Sequence, residues 1–451
     1  MSFISFDNVV SWLDSQTNLE KLTTGYTKRT YRLDRMRSLL EHLGNPERKF
    51  RSIHVAGSKG KGSTSAFMAG GLTALGFKTG LYMSPHMSDY RERFTLSGTF
   101  FSDEELIGAA NELKESINGF SFSDEWGPAA PTTFELYTAL AYILFARTGC
   151  DWAVIETGLG GRLDATNTLC PEAVVLCPIE LEHTSILGGT LPLIAGEKAK
   201  IIMPGTPVFI SHQPQEALEV FLKEAETQKS PVKILPQELA DLKSRTTIHG
   251  EEADITWKTG EKTHLTLSMM GEVQADNAAL ALLVLKSLGL YSAGTTEKAI
   301  EKCTLPGRFQ VLKNSGTPLY IDGAHTVNSL RRLIHSFSEI YAPEKTTVIY
   351  GALEDKDHTH MTRLLLEHLH TIIVCRPGTF KKSNPQALYD TFKTEAQELI
   401  PDALEALTTA YALTPPDGAV LVCGSFYLAG DIRQAYEEYN LQQDKKVHLW
   451  H

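Results

Sequence analysis

Cysteine is scarce and scattered: the six residues Cys150, Cys170, Cys177, Cys303, Cys375 and Cys423 are spread over 451 positions, with no C-x-x-C pair and no histidine at zinc-ligand spacing. That argues against a disulfide framework or a structural zinc and leaves packing as their use. No apolar run approaches the roughly 18 residues that span a bilayer. The opening Met1-Ser2-Phe3-Ile4-Ser5-Phe6-Asp7 has no basic leader, so a cytoplasmic protein without a membrane partner is expected. Positive charge is also in short supply, since 43 Lys and Arg face 54 Asp and Glu for a net −11. Such a surface repels a phosphate backbone, and nucleic acid is not an expected partner. Internal repeats and low-complexity tracts are missing too. What is present is the composition of a folded chain, 42% hydrophobic, 9% aromatic and 22% charged, at a length that calls for two domains or three.

From residue 50 to 211 short β-branched runs alternate with segments of helical period, the pattern of βαβ units and a parallel sheet. Predicted strands are Ser52 to Ala56, Thr79 to Met83, Trp152 to Ile155, Ala173 to Cys177 and Pro207 to Ile210. Ahead of them, Thr30 to Leu43 has apolar residues at helical spacing and stops at Gly44-Asn45-Pro46, which makes an N-terminal helical appendage. Asp254 to Trp257 and His264 to Leu267 alternate around Gly260 as a half-exposed hairpin does. A second α/β pattern follows Pro306-Gly307-Arg308, with strands at Leu319 to Ile321, Thr346 to Tyr350, Thr371 to Cys375 and Ala419 to Cys423. The expected architecture is therefore α/β throughout. Residues 1–312 form a parallel-sheet nucleotide-binding domain with a small antiparallel unit, and residues 313–451 a second, Rossmann-like α/β domain.

His54-Val55-Ala56-Gly57-Ser58-Lys59-Gly60-Lys61-Gly62-Ser63-Thr64 runs from a strand through a glycine-rich loop toward a helix expected over Ser65 to Leu75. Gly57, Gly60 and Gly62 let backbone N–H groups converge on an anion, Lys61 can reach terminal phosphates, and Ser63 or Thr64 can reach Mg²⁺. The spacing departs from G-x-x-x-x-G-K-[ST], because Gly57 stands four positions before Lys61. Ser84, Glu156 and His183 each follow a predicted strand, and ligands of open parallel sheets bind beyond the carboxyl ends of the strands. They are candidates to converge on one Mg²⁺, a hard cation that keeps phosphate and water oxygens. Gly158 to Asn167 reads as an active-site loop in which Arg162, Asp164 and Asn167 would suit a substrate clamp. Leu191, Ile194 and Lys198 fall on one helical stripe, so the Lys198 amine either snorkels to solvent or, desolvated and neutral, takes up CO₂ as a carbamate facing a metal. Arg308 either binds phosphate from the hinge or makes an interdomain salt bridge, and Asp322-Gly323-Ala324-His325 closes another strand with a polar turn.

These motifs resemble the folylpolyglutamate synthase and dihydrofolate synthase family, within the wider group of Mur-type ATP-dependent amide ligases, over nearly the whole chain. The resemblance rests on residues 54–64, Ser84-Pro85-His86 with Arg91-Glu92-Arg93, Gly158 to Asn167, Glu197-Lys198-Ala199, Pro306 to Phe309, Asp322 to His325 and Gly424-Ser425-Phe426-Tyr427. It implies an enzyme that joins L-glutamate to dihydropteroate or a reduced folate through an acyl phosphate, using ATP and Mg²⁺ and releasing ADP and phosphate, as a monomer. It implies that Lys61 and Ser63 hold phosphates and magnesium, that Ser84, Glu156 and His183 hold a second magnesium, and that Lys198 is carbamylated. Asn277, Arg308, Asp322 and His325 would serve the nucleotide; Thr133, Phe134 and Asp164 would border a pterin. The chain departs from the family pattern at Ser58-Lys59, at Glu182, at Val273 and at Thr326-Val327, where Asn-Pro is usual. Two rival readings are a Mur-type ligase for a different carboxylate and a nonenzymatic nucleotide-binding regulator. The loop ending in Asp164-Ala165-Thr166-Asn167 favours the first reading over the ligase alternative, and an intact Lys61, Glu156 and His183 disfavour the regulator.

Overall fold

The computed structural model describes residues 2–17, 32–312, 316–378, 382–392 and 398–448. Seventeen strands in these segments form three sheets. The first sheet contains β1 (Arg51–Ala56), β2 (Thr79–Tyr82), β3 (Phe94–Leu96), β4 (Thr99–Phe100), β5 (Trp152–Glu156), β6 (Ala173–Leu176), β7 (Val208–Ile210) and β8 (Val232–Ile234). Its order is β4-β3-β2-β5-β1-β6-β7-β8. The six strands from β2 to β8 in that order run parallel, so their carboxyl ends open on one edge. At the other margin β3 and β4 are antiparallel, which makes the sheet mixed and not the purely parallel one expected.

Strands β9 (Leu239–Thr247), β10 (Gly250–Trp257) and β11 (Lys262–Leu267) form a three-stranded antiparallel unit. The predicted hairpin is the β10–β11 pair. Strand β9 escapes a reading by alternation because it is an edge strand, largely exposed, and carries Asp241, Lys243 and Arg245 where a two-sided strand would carry apolar residues. The last sheet joins β12 (Gln310–Leu312), β13 (Leu319–Ile321), β14 (Thr346–Tyr350), β15 (Thr371–Val374), β16 (Glu398–Leu399) and β17 (Ala419–Cys423) in the order β12-β13-β17-β14-β15-β16. All its pairings are parallel except β12 with β13. Gln310 to Leu312, which the sequence assigns to the first unit, is thus the antiparallel edge of the second sheet, held there by pairing with Ile321, Tyr320 and Leu319.

The nine strands predicted for the two α/β units agree with those observed to within one residue at each end, whereas the two hairpin arms begin four and two residues earlier than their alternation indicates. Helices are displaced more. The appendage helix runs Leu33–His42, with Thr30 outside the described residues. The helix after the glycine loop runs Lys61–Ala74 and begins four residues earlier than its apolar period indicates, because Lys61-Gly62-Ser63-Thr64 already forms its first turn with Gly60 as the cap. That helix is buried between the sheet and helix Val273–Ser287, whose middle, Ala278 to Leu285, is wholly apolar. Gly71 permits the contact, since a Cβ there would lie 2.5 Å from Leu285 Cδ1.

The appendage is fixed by one ion. Arg35, fully buried, forks onto Glu135 at 2.8 and 3.0 Å and donates to the carbonyls of Trp126, Pro128 and Ala130 at 2.6 to 3.1 Å. All five guanidinium protons are used. Among the described residues no helix is long and apolar enough to cross a membrane.

Candidate active site

The cap position of helix Lys61–Ala74 demands a left-handed backbone, and Gly60 supplies it at φ +78°. Any Cβ at Gly60 would also collide with the Asn277 amide, so loop and helix Val273–Ser287 touch here. Thr64 N–H closes the first turn on the Gly60 carbonyl at 2.9 Å, which leaves the N–H groups of Lys61, Gly62 and Ser63 without helical partners at the positive end of the dipole. That is an anion cradle made by the backbone alone.

A cavity of about 1390 Å³ lies between the strand ends of the first sheet and the second α/β unit. Gly60, Lys61, Gly62, Ser63, Ser84, Glu156 and His183 line it from one side, Asn277 from the central helix, and Arg308, Asp322 and His325 from the other. These eleven predicted residues are therefore brought together. Gly57 and Thr64 sit behind the loop wall, where Thr64 Oγ1 reaches Asn277 Oδ1 at 3.4 Å. Lys198 lies one layer down.

Lys61 Nζ stands 3.5 Å from Glu156 Oε1. Burial opposes the lysine's charge, yet Glu156 and Glu182 hold its pKa above the ordinary value. Burial raises the Glu156 pKa, against the pull of Lys61 and Arg308 and a long 3.4 Å bond from Ser84 N–H. A buried carboxylate with only these loose contacts has room for a hard cation, and with the hydroxyls of Ser63 and Ser84 and the imidazole of His183 it makes a donor set that fits Mg²⁺. Among the described residues no three His, Cys, Asp or Glu side chains form a metal cluster. His183 takes a left-handed backbone (φ 48°) at the cap of Thr184–Leu187; the crowded setting, with Lys198 and Lys61 nearby, lowers its pKa despite Glu182.

Lys198 does not snorkel. It is 2% exposed, and Nζ donates to the Gly57 carbonyl at 2.7 Å and to Glu182 Oε1 at 3.2 Å. Burial brings the amine down to about 8, while Lys198, Lys61 and Lys59 overcome the burial of Glu182 and bring that carboxyl down to about 2.

On the second side, Asp322 accepts from Phe309 N–H and Ala324 N–H, both at 2.7 Å, and the Arg308 guanidinium lies 4.2 Å over the Phe426 ring. Burial lowers the Arg308 pKa, with Asp322 and Glu156 supporting the charge; Arg308 lines the cavity, and among the described residues no carboxylate pairs with it within 4.0 Å. His325 Nδ1 bonds the Gly323 carbonyl at 2.8 Å and must donate there, which leaves Nε2 as an acceptor; burial holds its pKa at about 3. Thr326 caps helix Val327–Ser338 with a reciprocal Ser329 box, so this departure from Asn-Pro has a local structural use.

The residues assigned to a pterin lie outside the cavity lining, across Gly158, whose Cα packs against the Phe134 ring. Thr133 is 2% exposed and its hydroxyl bonds the Leu13 carbonyl, so it fastens the first helix, Phe6–Asp14. Asp164 accepts from Leu159 N–H (2.8 Å), Thr166 N–H (3.0 Å) and the Thr166 hydroxyl (2.6 Å). Arg162 and Asn167, expected as a clamp, hold the loop to its neighbouring helix: Arg162 forks onto Glu197, and Asn167 Nδ2 reaches the carbonyls of Arg162 and Lys200. Sequence reasoning missed His212, paired with Asp276 at 2.9 Å, and Lys356, both on the cavity wall. The strand-end rule that selects Ser84 and Glu156 finds them when applied to β7 and β14.

Residues 307–426 match the family described as Mur ligase, glutamate ligase domain. The chain is 33% identical over 410 residues to the dihydrofolate synthase/folylpolyglutamate synthase of Bacillus subtilis, covering 89% of this chain and 94% of that protein. It superposes on Mycobacterium tuberculosis folylpolyglutamate synthase complexed with ADP and AMPPCP at a TM-score of 0.83, with 27% identity over 95% of this chain and 97% of that one. E. coli FolC in complex with DHPP and ADP gives a TM-score of 0.81 and 25% identity over 96% and 98% of the two chains.

Proposed function

Because the chain belongs to the folylpolyglutamate synthase and dihydrofolate synthase family, we infer that its cavity is where ATP drives the joining of L-glutamate to a dihydropteroate or folate carboxylate. The observation that carries this reading is the meeting, in one cavity, of the phosphate cradle with Lys61 and of Arg308, Asp322 and His325 from the opposite unit.

A carboxylate and an ammonium do not condense usefully in water, so the carboxylate oxygen first attacks the γ-phosphorus and ADP departs. Both reactants are anions, and Lys61 with the first-turn N–H groups screens their repulsion. Mg²⁺, when bound to Ser63, Ser84, Glu156 and His183, would add charge neutralisation at the phosphates. Asn277, Arg308, Asp322 and His325 hold the nucleotide from the far wall. The glutamate nitrogen, having lost a proton, then attacks the acyl carbon and phosphate leaves. Enclosure between the two units keeps water from the acyl phosphate. We divide these units just before β12, and one chain supplies both walls, which supports a monomer as the working form.

Thr133 and Phe134 begin helix Thr133–Arg147 beside Gly158, and the adjoining loop holds the buried Asp164 carboxyl. This side suits a pterin with its N–H donors. We propose that the enzyme makes dihydrofolate from dihydropteroate and also extends reduced folates, since extension needs the same phosphorylation one glutamyl unit further out.

Purified protein should release ADP with dihydropteroate only when L-glutamate is present, and likewise with tetrahydrofolate. Activity with tetrahydrofolate alone would defeat the first half of the claim. Activity with neither substrate, but with a UDP-muramoyl peptide, would move the chain to the other Mur-type chemistry. For the metal, Glu156→Ala or His183→Ala should raise the Mg²⁺ concentration for half-maximal turnover by about 10- to 100-fold, with a smaller loss of thermal stability. Wild-type curves for both variants across a magnesium titration would remove them from the metal site.

A further inference from the structure

His54 is fully buried on β1, two residues before the strand ends, and takes no part in the chemistry described above. Its Nε2 lies 2.8 Å from Thr166 Oγ1, and its Nδ1 is buried with no hydrogen-bond partner. A histidine is an awkward choice for an interior strand position that an aliphatic residue would fill without leaving a dry lone pair.

The contacts of Thr166 explain the choice. Its hydroxyl has one proton and lies 2.6 Å from Asp164 Oδ1, which also receives Thr166 N–H at 3.0 Å, while Oδ2 receives Leu159 N–H at 2.8 Å. Burial raises the Asp164 pKa, while the Thr166 hydroxyl and the two backbone N–H groups, which can only donate, pull toward the carboxylate as acceptor. The Thr166 hydroxyl must then give its proton to Asp164 and accept from His54, so His54 carries its proton on Nε2 and Nδ1 is the bare nitrogen. The imidazole cannot escape this by charging, because burial holds its pKa at about 3. Thr166 is held from a third side by the Tyr142 hydroxyl on its carbonyl at 3.4 Å.

We propose that His54 is a positioning residue for the ligase reaction: its Nε2–H orients the Thr166 hydroxyl, which fixes the Asp164 carboxylate as a hydrogen-bond acceptor for the pteridine-bearing substrate. The chain His54–Thr166–Asp164 thereby ties the strand that ends in the phosphate cradle to the loop beside the substrate. This rests on the reading that Asp164 borders the pterin.

The test measures KM for dihydropteroate and for ATP in His54→Leu, His54→Gln, Thr166→Val, the His54→Leu/Thr166→Val double variant and Asp164→Ala, and reads the His54 ring nitrogens by ¹⁵N NMR in the unsubstituted protein. Removing either link should raise KM for dihydropteroate about tenfold with KM for ATP unchanged. The double variant should be no worse than either single one, because both break one chain. His54→Gln, which keeps an N–H donor, should recover much of the loss. NMR should show Nε2 protonated and Nδ1 bare, a readout that stands even if His54→Leu fails to fold. Additive effects, equal changes in both KM values, or a proton on Nδ1 would overturn the positioning role. Asp164→Ala with unchanged KM for dihydropteroate would instead overturn the pterin-side reading and the proposal with it, whereas an Asp164 effect without a His54 or Thr166 effect would overturn the proposal alone.

Discussion

Lys61→Ala should lower ATP-dependent turnover by at least about 10³-fold, the scale on which a missing cation acts at a transferring phosphoryl group. The reason is local. The Lys61 amine is the cationic tip of a cradle whose other donors are backbone N–H groups, and those cannot follow charge as it moves onto the γ-phosphate oxygens. The same substitution should leave the fold intact, with a stability change on the order of 1 kcal/mol. In the described structure the amine's close partner is Glu156 at 3.5 Å, and that carboxyl already has a raised pKa because it is buried. Losing the ammonium raises it further, so the group takes up a proton more readily and escapes the cost of an uncompensated interior anion. ADP release at saturating ATP, set beside thermal unfolding, reads both halves. Near-normal turnover would remove Lys61 from phosphate binding, and wholesale unfolding would make it a structural residue.

The second large effect is expected at Lys198. We propose, from the resemblance and from the burial of the amine, that the active enzyme carries a carbamate there. The reaction joins the neutral amine nitrogen to the carbon of CO₂ and releases one proton. An ordinary lysine at pH 7.5 is neutral in only about one molecule in a thousand, whereas a group at about 8 is neutral in roughly one in four. The sign follows directly: as pH rises through 8 the reactive form grows, so activity at fixed dissolved CO₂ should climb between pH 6.5 and 8. Glu182 opposes the change, because its carboxylate now sits 3.2 Å from the amine and would face a second anion after it. Carbamylation and magnesium occupancy should therefore support each other. Lys198→Ala should lose about 10²- to 10³-fold in rate and regain part of it with added acetate. A fully active variant, or an unmodified amine in a high-resolution magnesium complex of the protein, would sink the assignment.

Strands with apolar residues on both faces were legible because burial on both sides leaves a continuous β-branched run, and the polar residues at their carboxyl ends that line the cavity could be named without coordinates. Strand β9 was not legible, since an exposed edge needs no apolar face. The start of helix Lys61–Ala74 was obscured for a related reason: its first turn is built of Lys, Gly, Ser and Thr, which carry no apolar period. Among the side chains, Lys61, Ser84, Glu156 and Asp322 follow from position alone. Arg162 and Asn167 do not, because a polar residue in a glycine-rich loop looks the same in sequence whether it reaches for a ligand or for Glu197 and Lys200.

The α/β class, most of the strands, the glycine-rich loop between strand and helix, and the family are therefore readable from the chain, since all depend on residues near one another or on patterns repeated along it. Only the tertiary structure shows which of those residues share a cavity, that Lys198 turns inward to Gly57 and Glu182, and that His54 Nε2 and the Asp164 carboxyl meet on the Thr166 hydroxyl. The two Lys198 contacts join residues 141 and 16 positions apart and the His54–Thr166 contact residues 112 apart, and hydrogen-bond direction and desolvation arise only once such groups are packed together.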